Sequence, residues 1–168
     1  MDALRLIMAT RGALARARDP ASIMAEAWQA QALAQAMGSR LAVGGPLELR
    51  GEALSLTEVS GRGCGVLTAS APGIEAIRAA QLTEVGDASA SLAGLGGLLG
   101  EVGIALVGVS CSAEAAAQTY YWNCVEAIDA ADESRDRVLE MLRRLALREA
   151  RREGEQGLPA PDSTAGPP

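Results

Sequence analysis

The chain has 168 residues, enough for one compact domain with a sizeable core, and carries a net charge of −6 with 49% hydrophobic and 21% charged residues. Histidine, lysine and phenylalanine are absent, and all fifteen basic residues are arginine. These absences exclude Ser-His and Cys-His nucleophile pairs, HExxH zinc sites, ExxH di-iron sites, RxxxxH helical nucleases, Walker lysines and lysine Schiff bases, and the acidic balance argues against general affinity for nucleic acid or an anionic membrane.

Alanine, leucine, arginine and glutamate dominate, and the long segments repeat with helical period, so the expected fold is all-α. The first helix is expected over residues 2–18, with Asp2 as its cap and Leu4, Ile7, Arg11 and Leu14 on one face. Asp19-Pro20 stops it, because proline disfavours helical geometry in the residue before it. A second helix is expected over 22–43, with Ile23, Ala27, Ala30, Ala34, Met37 and Leu41 as its apolar stripe. Glu26, Gln29, Gln31, Gln35 and Arg40 supply its polar positions, and Gly44-Gly45-Pro46 ends it. Pro46 suits the first turn of a third, shorter helix that fades before Gly61. The run GRGCG at 61–65 reads as an internal loop. There the glycine neighbours leave the Cys64 thiol accessible, and Arg62 lowers its pKa slightly. With no histidine and no CxxC partner, the default for Cys64 is a structural thiol, and Cys111 and Cys124 are expected to pack as small apolar groups. A short helix is expected between Gly73 and Val85, after Pro72, and Gly86-Asp87 breaks the chain.

From Leu92 the pattern is the most regular of the chain. Leu92, Leu95, Leu99, Val102, Leu106 and Val109 step by three and four, as in a bundle seam. The length and hydropathy of 92–113, with Gly96 and Gly100 as one GxxxG, would also permit a membrane span. Glu101 in mid-span and the lack of flanking arginines argue against it, and a tightly packed soluble helix is expected instead. The last helix is expected from Ala113 to about Glu153, capped by Ser112 with Glu114 in its first turn. Its seam runs through Tyr121, Cys124, Ile128, Ala131, Arg135, Val138, Leu142 and Leu145. Glu126, Asp129, Glu133, Asp136 and Glu140 form an acidic stripe, partly neutralised by the pairs Glu133–Arg137 and Glu140–Arg144. A solvated face is expected there, and no metal site or other cofactor is implied. The helix carries two arginines against seven acids over 111–142, then five arginines against two over 143–153. That order complements the macrodipole and would let two copies pair antiparallel as a homodimer. The arginine patch lacks interleaved aromatics, which argues against nucleic acid.

The expected architecture is an up-down bundle of four main helices plus one or two short connecting ones. A single domain over 1–153 is followed by a disordered Pro/Gly-rich tail over 154–168. Three of the four aromatics fall at Tyr120, Tyr121 and Trp122, and the fourth is Trp28. Large rings can fill an alanine-leucine core. They can also bind a ligand or a partner, and the candidate binding residues are Trp28, Tyr120, Tyr121, Trp122, Asn123 and Glu126. An odd cysteine count without CxxC, and no signal peptide, fit a reducing, cytoplasmic setting.

The segments MDALRLIMATRGALARAR, AEAWQAQALAQAMGSRLA and YYWNCVEAIDAADESRDRVLEMLRRLA resemble a family of small helical proteins from high-GC actinobacteria, a domain of unknown function, over about residues 1 to 150. The resemblance implies a helical bacterial cytoplasmic protein and carries no catalytic residues over. The expected role is therefore non-enzymatic: an accessory or regulatory protein acting on a protein partner or on a second copy. Two alternatives remain. One is a small-ligand-binding bundle or enzyme with a pocket holding Trp28 or Tyr121 beside Asn123 or Glu126. The other is a membrane protein spanning with 92–113.

Overall fold

Three aspartates start three helices. Asp2 accepts the backbone N–H of Arg5 at 3.0 Å, Asp19 that of Ser22 at 2.9 Å and Asp87 that of Ala90 at 2.9 Å. Each bond satisfies one of the donors that a helix start leaves unpaired, worth about 1 kcal/mol. The computed structural model describes residues 1–68, 76–112 and 118–156. Among these residues the fold is all-α, with five α-helices: α1 (Ala3–Arg16), α2 (Pro20–Gly44), α3 (Arg50–Thr68), α4 (Ala88–Ser110) and α5 (Gln118–Gln156). Of two 3-10 turns, Leu47–Leu49 leads into α3 and Arg78–Gln81 lies between α3 and α4.

Asp19-Pro20 does more than stop α1. Asp19 is the cap of α2 and Pro20 its first residue, where the missing N–H costs nothing. Gly86 has φ 68°, a left-handed turn that glycine adopts without a Cβ clash, and it delivers Asp87 to the start of α4.

The packed interior is aliphatic. Its largest fully buried side chains include Leu6, Ile7, Met24, Leu33, Met37, Leu56, Leu95 and Leu99, with no aromatic ring among them. α2 packs on α3, α3 on α5 and α5 on α4, while α1 touches both α2 and α4. The expected seam of α4 is buried at every position, Leu92 to Val109. Burial on this scale contributes about 1.5–3 kcal/mol per large aliphatic side chain.

Several expectations are corrected. The GRGCG run is not a loop: α3 passes through it to Thr68 and does not fade before Gly61. Packing outweighs propensity there. A Cβ at Gly63 would lie 3.0 Å from Gln31 and 3.2 Å from the Ala130 Cβ, so close packing favours glycine there, whereas one at Gly61 would meet only the movable end of the Gln35 side chain. On α1 the buried face is Ala3, Leu6, Ile7, Thr10 and Leu14. Leu4 is exposed and Arg11 pairs with Glu101, because α1 lies between α2 and α4 and turns a different stripe inward. On α2, Gln29 and Gln31 are buried. Gln29 clamps the backbone before α4, donating to the Ala76 carbonyl at 2.6 Å and accepting from the Arg78 N–H at 3.0 Å. On α5 the buried seam is Cys124, Ala127, Ala131, Ser134, Val138 and Met141, and the expected seam residues Tyr121 and Arg135 face outward. The expected helix over 73–85 is represented by the 3-10 turn at Arg78–Gln81. Residues 69–75, the Ala113–Ala117 start expected for α5 with Glu114, and residues 157–168 of the expected tail lie outside the described residues. α5 continues past the expected end at Glu153 to Gln156.

Residues 82–84 are held in place from both sides. Ala3 N–H donates to the Glu84 carbonyl at 3.1 Å, Thr83 N–H to the Met1 carbonyl at 3.0 Å, and Arg40 to the Leu82 and Thr83 carbonyls at 2.9 and 2.8 Å. This segment ties the start of α1 to α2 ahead of α4.

Candidate functional site

Consecutive residues on a helix point about 100° apart, so Tyr120, Tyr121 and Trp122 diverge. Tyr120 is partly buried and packs on the core. Tyr121 and Trp122 stand in solvent, 43% and 55% exposed, with ring centroids 5.6 Å apart in a T-shaped arrangement at 74°. Core filling therefore accounts for Tyr120 and not for its two neighbours. Trp28 is half-buried on α2 and belongs to a different set of contacts. Its indole Nε1 donates to Thr68 Oγ1 at 3.1 Å, and Thr68 donates onward to the Cys64 carbonyl at 2.7 Å. Asn123 is half-buried beside the aromatics. Glu126 lines a surface hollow of about 380 Å³ with Arg62, Val66, Asp129, Ala130 and Glu133.

Cys64 corrects a further expectation. It sits on a helix, half-buried, with its sulfur 3.9 Å from the Trp28 carbonyl, and burial pushes its thiol up to about 11. Arg62 is engaged with Glu133 instead. Burial also raises the Cys124 thiol, whereas Cys111 is exposed at the end of α4 and does not pack as an apolar group.

Six of the sixteen charged side chains of α5 form ion pairs among the described residues. Glu133 pairs with Arg62 and, at 3.7 Å, with Arg137. Glu140 receives Arg143 at 2.7 Å and Arg144 at 2.9 Å, and hydrogen bonds from these two guanidinium groups lower its carboxyl pKa to about 2. Glu52 of α3 accepts Arg144 at 2.8 Å and Arg137 at 3.4 Å. A hollow of about 500 Å³ at the arginine-rich end is lined by Arg143, Arg144, Arg148, Arg151 and Arg152 with Glu48 and Glu155. Among the described residues no three acidic, cysteine or histidine side chains gather closely enough to hold a metal ion.

The outer face of α4 is different. Ile104 is 77% and Val107 49% exposed, although both belong to the most apolar helix of the chain. They line a hollow of about 340 Å³ with Gly100, Gly103, Ile128, Asp132 and Arg135. The first four residues come from α4 and the last three from α5. Sequence periodicity assigned α4 a core stripe and left its opposite face undescribed. The signal that pointed to this surface was Ile104 and Val107, large apolar residues outside the stripe. α4 is the one helix among the described residues long and apolar enough to cross a membrane. Glu101, midway along it, is half-exposed and held by Arg11 of α1.

No curated protein and no solved structure matches the chain. Residues 1–144 match a family of unknown function, DUF6099, a span that includes all of α1 to α4, the aromatic cluster and α5 as far as Arg144. The chain is a member of the DUF6099 family.

Proposed function

We propose that this protein is a cytoplasmic, non-enzymatic accessory or regulatory protein that acts through a helical protein–protein surface. That surface consists of the outer face of α4 and the first turns of α5. The carrying observation is the solvent exposure of Ile104 and Val107 on α4 and of Tyr121 and Trp122 on α5, since Tyr121 and Trp122 are the two exposed aromatic rings among exposed apolar side chains that also include Met8, Val43 and Leu47. Exposed tyrosine and tryptophan are typical of protein-binding hot spots, and exposed apolar patches mark interaction surfaces. Three unpaired cysteines suit a reducing compartment. The all-arginine, alanine-rich composition suits a GC-rich bacterial genome such as that of an actinobacterium. We further read the helices as an up-down bundle. The three-residue link between α1 and α2 and the five-residue link between α2 and α3 support antiparallel neighbours.

The test is affinity capture from the native cytoplasm with the full chain, comparing wild type with Ile104→Asp and Trp122→Ala. The reading expects a captured set that both substitutions deplete while helical circular dichroism is unchanged. An identical captured set for all three chains would overturn it.

A further inference from the structure

The hollow between α4 and α5 carries information about what covers it. Its floor is glycine. A Cβ at Gly100 would lie 3.4 Å from Arg135 Nε, and one at Gly103 would lie 3.5 Å from Asp132 Oδ1. The glycines thus let these two side chains lie down against α4. Ile104 stands one turn from Gly100 on the same helix, a protruding side chain beside a dip. Gly97 and Gly108 extend the low surface on either side, with nothing within 4 Å of an added Cβ. Asp132 and Arg135 are exposed and make no ion pair among the described residues, as holds also for Glu126, Asp129 and Asp136, whereas Glu133, Arg137, Glu140, Arg143 and Arg144 on the same helix are paired.

Resting on the reading above, we infer that the partner at this surface is a second copy of this chain, docked about a two-fold axis. The surface is complementary to itself. It offers one protrusion, one dip, one acid and one base on the rim of a single apolar hollow. An axis that runs the two α4 helices antiparallel sets Ile104 of one protomer over the open glycine surface at Gly97 of the other. The same axis sets Asp132 against Arg135 of the partner subunit. A two-fold interface makes each such contact twice. A lipid surface fits less well, because it would take Asp132 and Arg135 out of water without a partner for either.

Sedimentation equilibrium of the full chain, up to the high micromolar range, tests the inference. Wild type is expected to dimerise. Ile104→Asp should raise the dissociation constant by roughly tenfold or more, since it places a carboxylate at the centre of the interface. Asp132→Arg and Arg135→Asp should each weaken dimerisation by about fivefold, because each sets like charges against one another twice. The chain carrying both reversals should return to within about twofold of wild type. All three positions are in solvent in the single chain, so circular dichroism should stay constant.

A wild type that remains monomeric overturns the inference, as does a double reversal no tighter than the weaker single variant. Flotation of a monomeric wild type with phosphatidylcholine–phosphatidylglycerol vesicles would assign the surface to lipid instead. If wild type is monomeric but Ile104→Asp still loses captured proteins, the protein-contact reading survives and the second copy does not. If Ile104→Asp alters neither self-association nor capture, both fail.

Discussion

The two sides of α5 solve the same burial problem in opposite ways. Toward α3, the contact is polar at its centre and charged at its rim. Ser60 and Ser134 share a hydrogen bond at 3.2 Å, Ser134 donates to Gln31 Oε1 at 3.2 Å, and Glu52 holds both Arg137 and Arg144. Toward α4, the contact is leucine, valine, alanine and glycine, and the apolar surface does not stop at the rim but continues onto Ile104 and Val107. The α3 side is pinned by its own ion pairs at Glu52 and Glu133, and its remaining hollow is lined by the carboxylates of Glu126 and Asp129. The α4 side leaves apolar area and an unpaired acid and base in water, which is the condition that association relieves.

Three substitutions probe that contrast. The largest effect is expected at Gly38 of α2, which packs on α3. A Cβ there would lie 2.7 Å from Thr57 Oγ1 and 2.8 Å from the Ala53 carbonyl, and backbone cannot step aside cheaply. Gly38→Ala should destabilise the fold by about 2–3 kcal/mol in urea unfolding, although alanine is the better helix former. A neutral result would mean that α2 and α3 are not tightly packed at this point. Next comes Glu52→Gln, which leaves Arg137 and Arg144 without their shared carboxylate. The side chain of Glu52 is mostly buried, so a loss of about 1–2 kcal/mol is expected. A cost no larger than that of a solvated surface pair would remove the claim that the α3 side is pinned by charge.

The smallest effect concerns acid. Glu140 has its pKa lowered in the fold from 4.5 to about 2 by Arg143 and Arg144. A depressed carboxyl contributes stability above its unfolded pKa and loses it as pH falls through the folded one. Stability should therefore decline between about pH 4.5 and 2 partly through this group, and Glu140→Gln should flatten that slope. Because Glu140 is in solvent, the difference should be slight and should shrink further in high salt. An unchanged slope would show that the two arginines do not hold Glu140 in solution.

The regular helix was the legible one. Leu92 to Val109 alternate by three and four amid small residues, and no other rotation of α4 buries so many leucines. α2 was harder, because a helix in which alanine appears on every side has little amphipathic signal, and two of its glutamines turn out to be buried. The aromatic cluster was legible as a cluster but not as a surface. Tyr120 and Tyr121 differ by one position, so a rotation of α5 by 100° exchanges which ring is inside. That rotation is set by α3 and α4 together. The candidate group itself divides: Tyr121 and Trp122 share the exposed start of α5, Trp28 is tied to Thr68 on the far helix pair, and Glu126 opens onto the α3 side.

The amino-acid order alone determined that the chain is helical, that Asp2 begins its first helix, which face of α4 is core, and which familiar active sites are impossible without histidine or lysine. Those properties depend on local geometry and on residue chemistry, and both are present in the sequence. Tertiary structure decided that α3 runs through its glycines, that Gln29 and Gln31 are interior, and that Asp132 and Arg135 meet Ile104 around one hollow. Each of these depends on which helix lies alongside, and on distances between residues that are far apart in the chain.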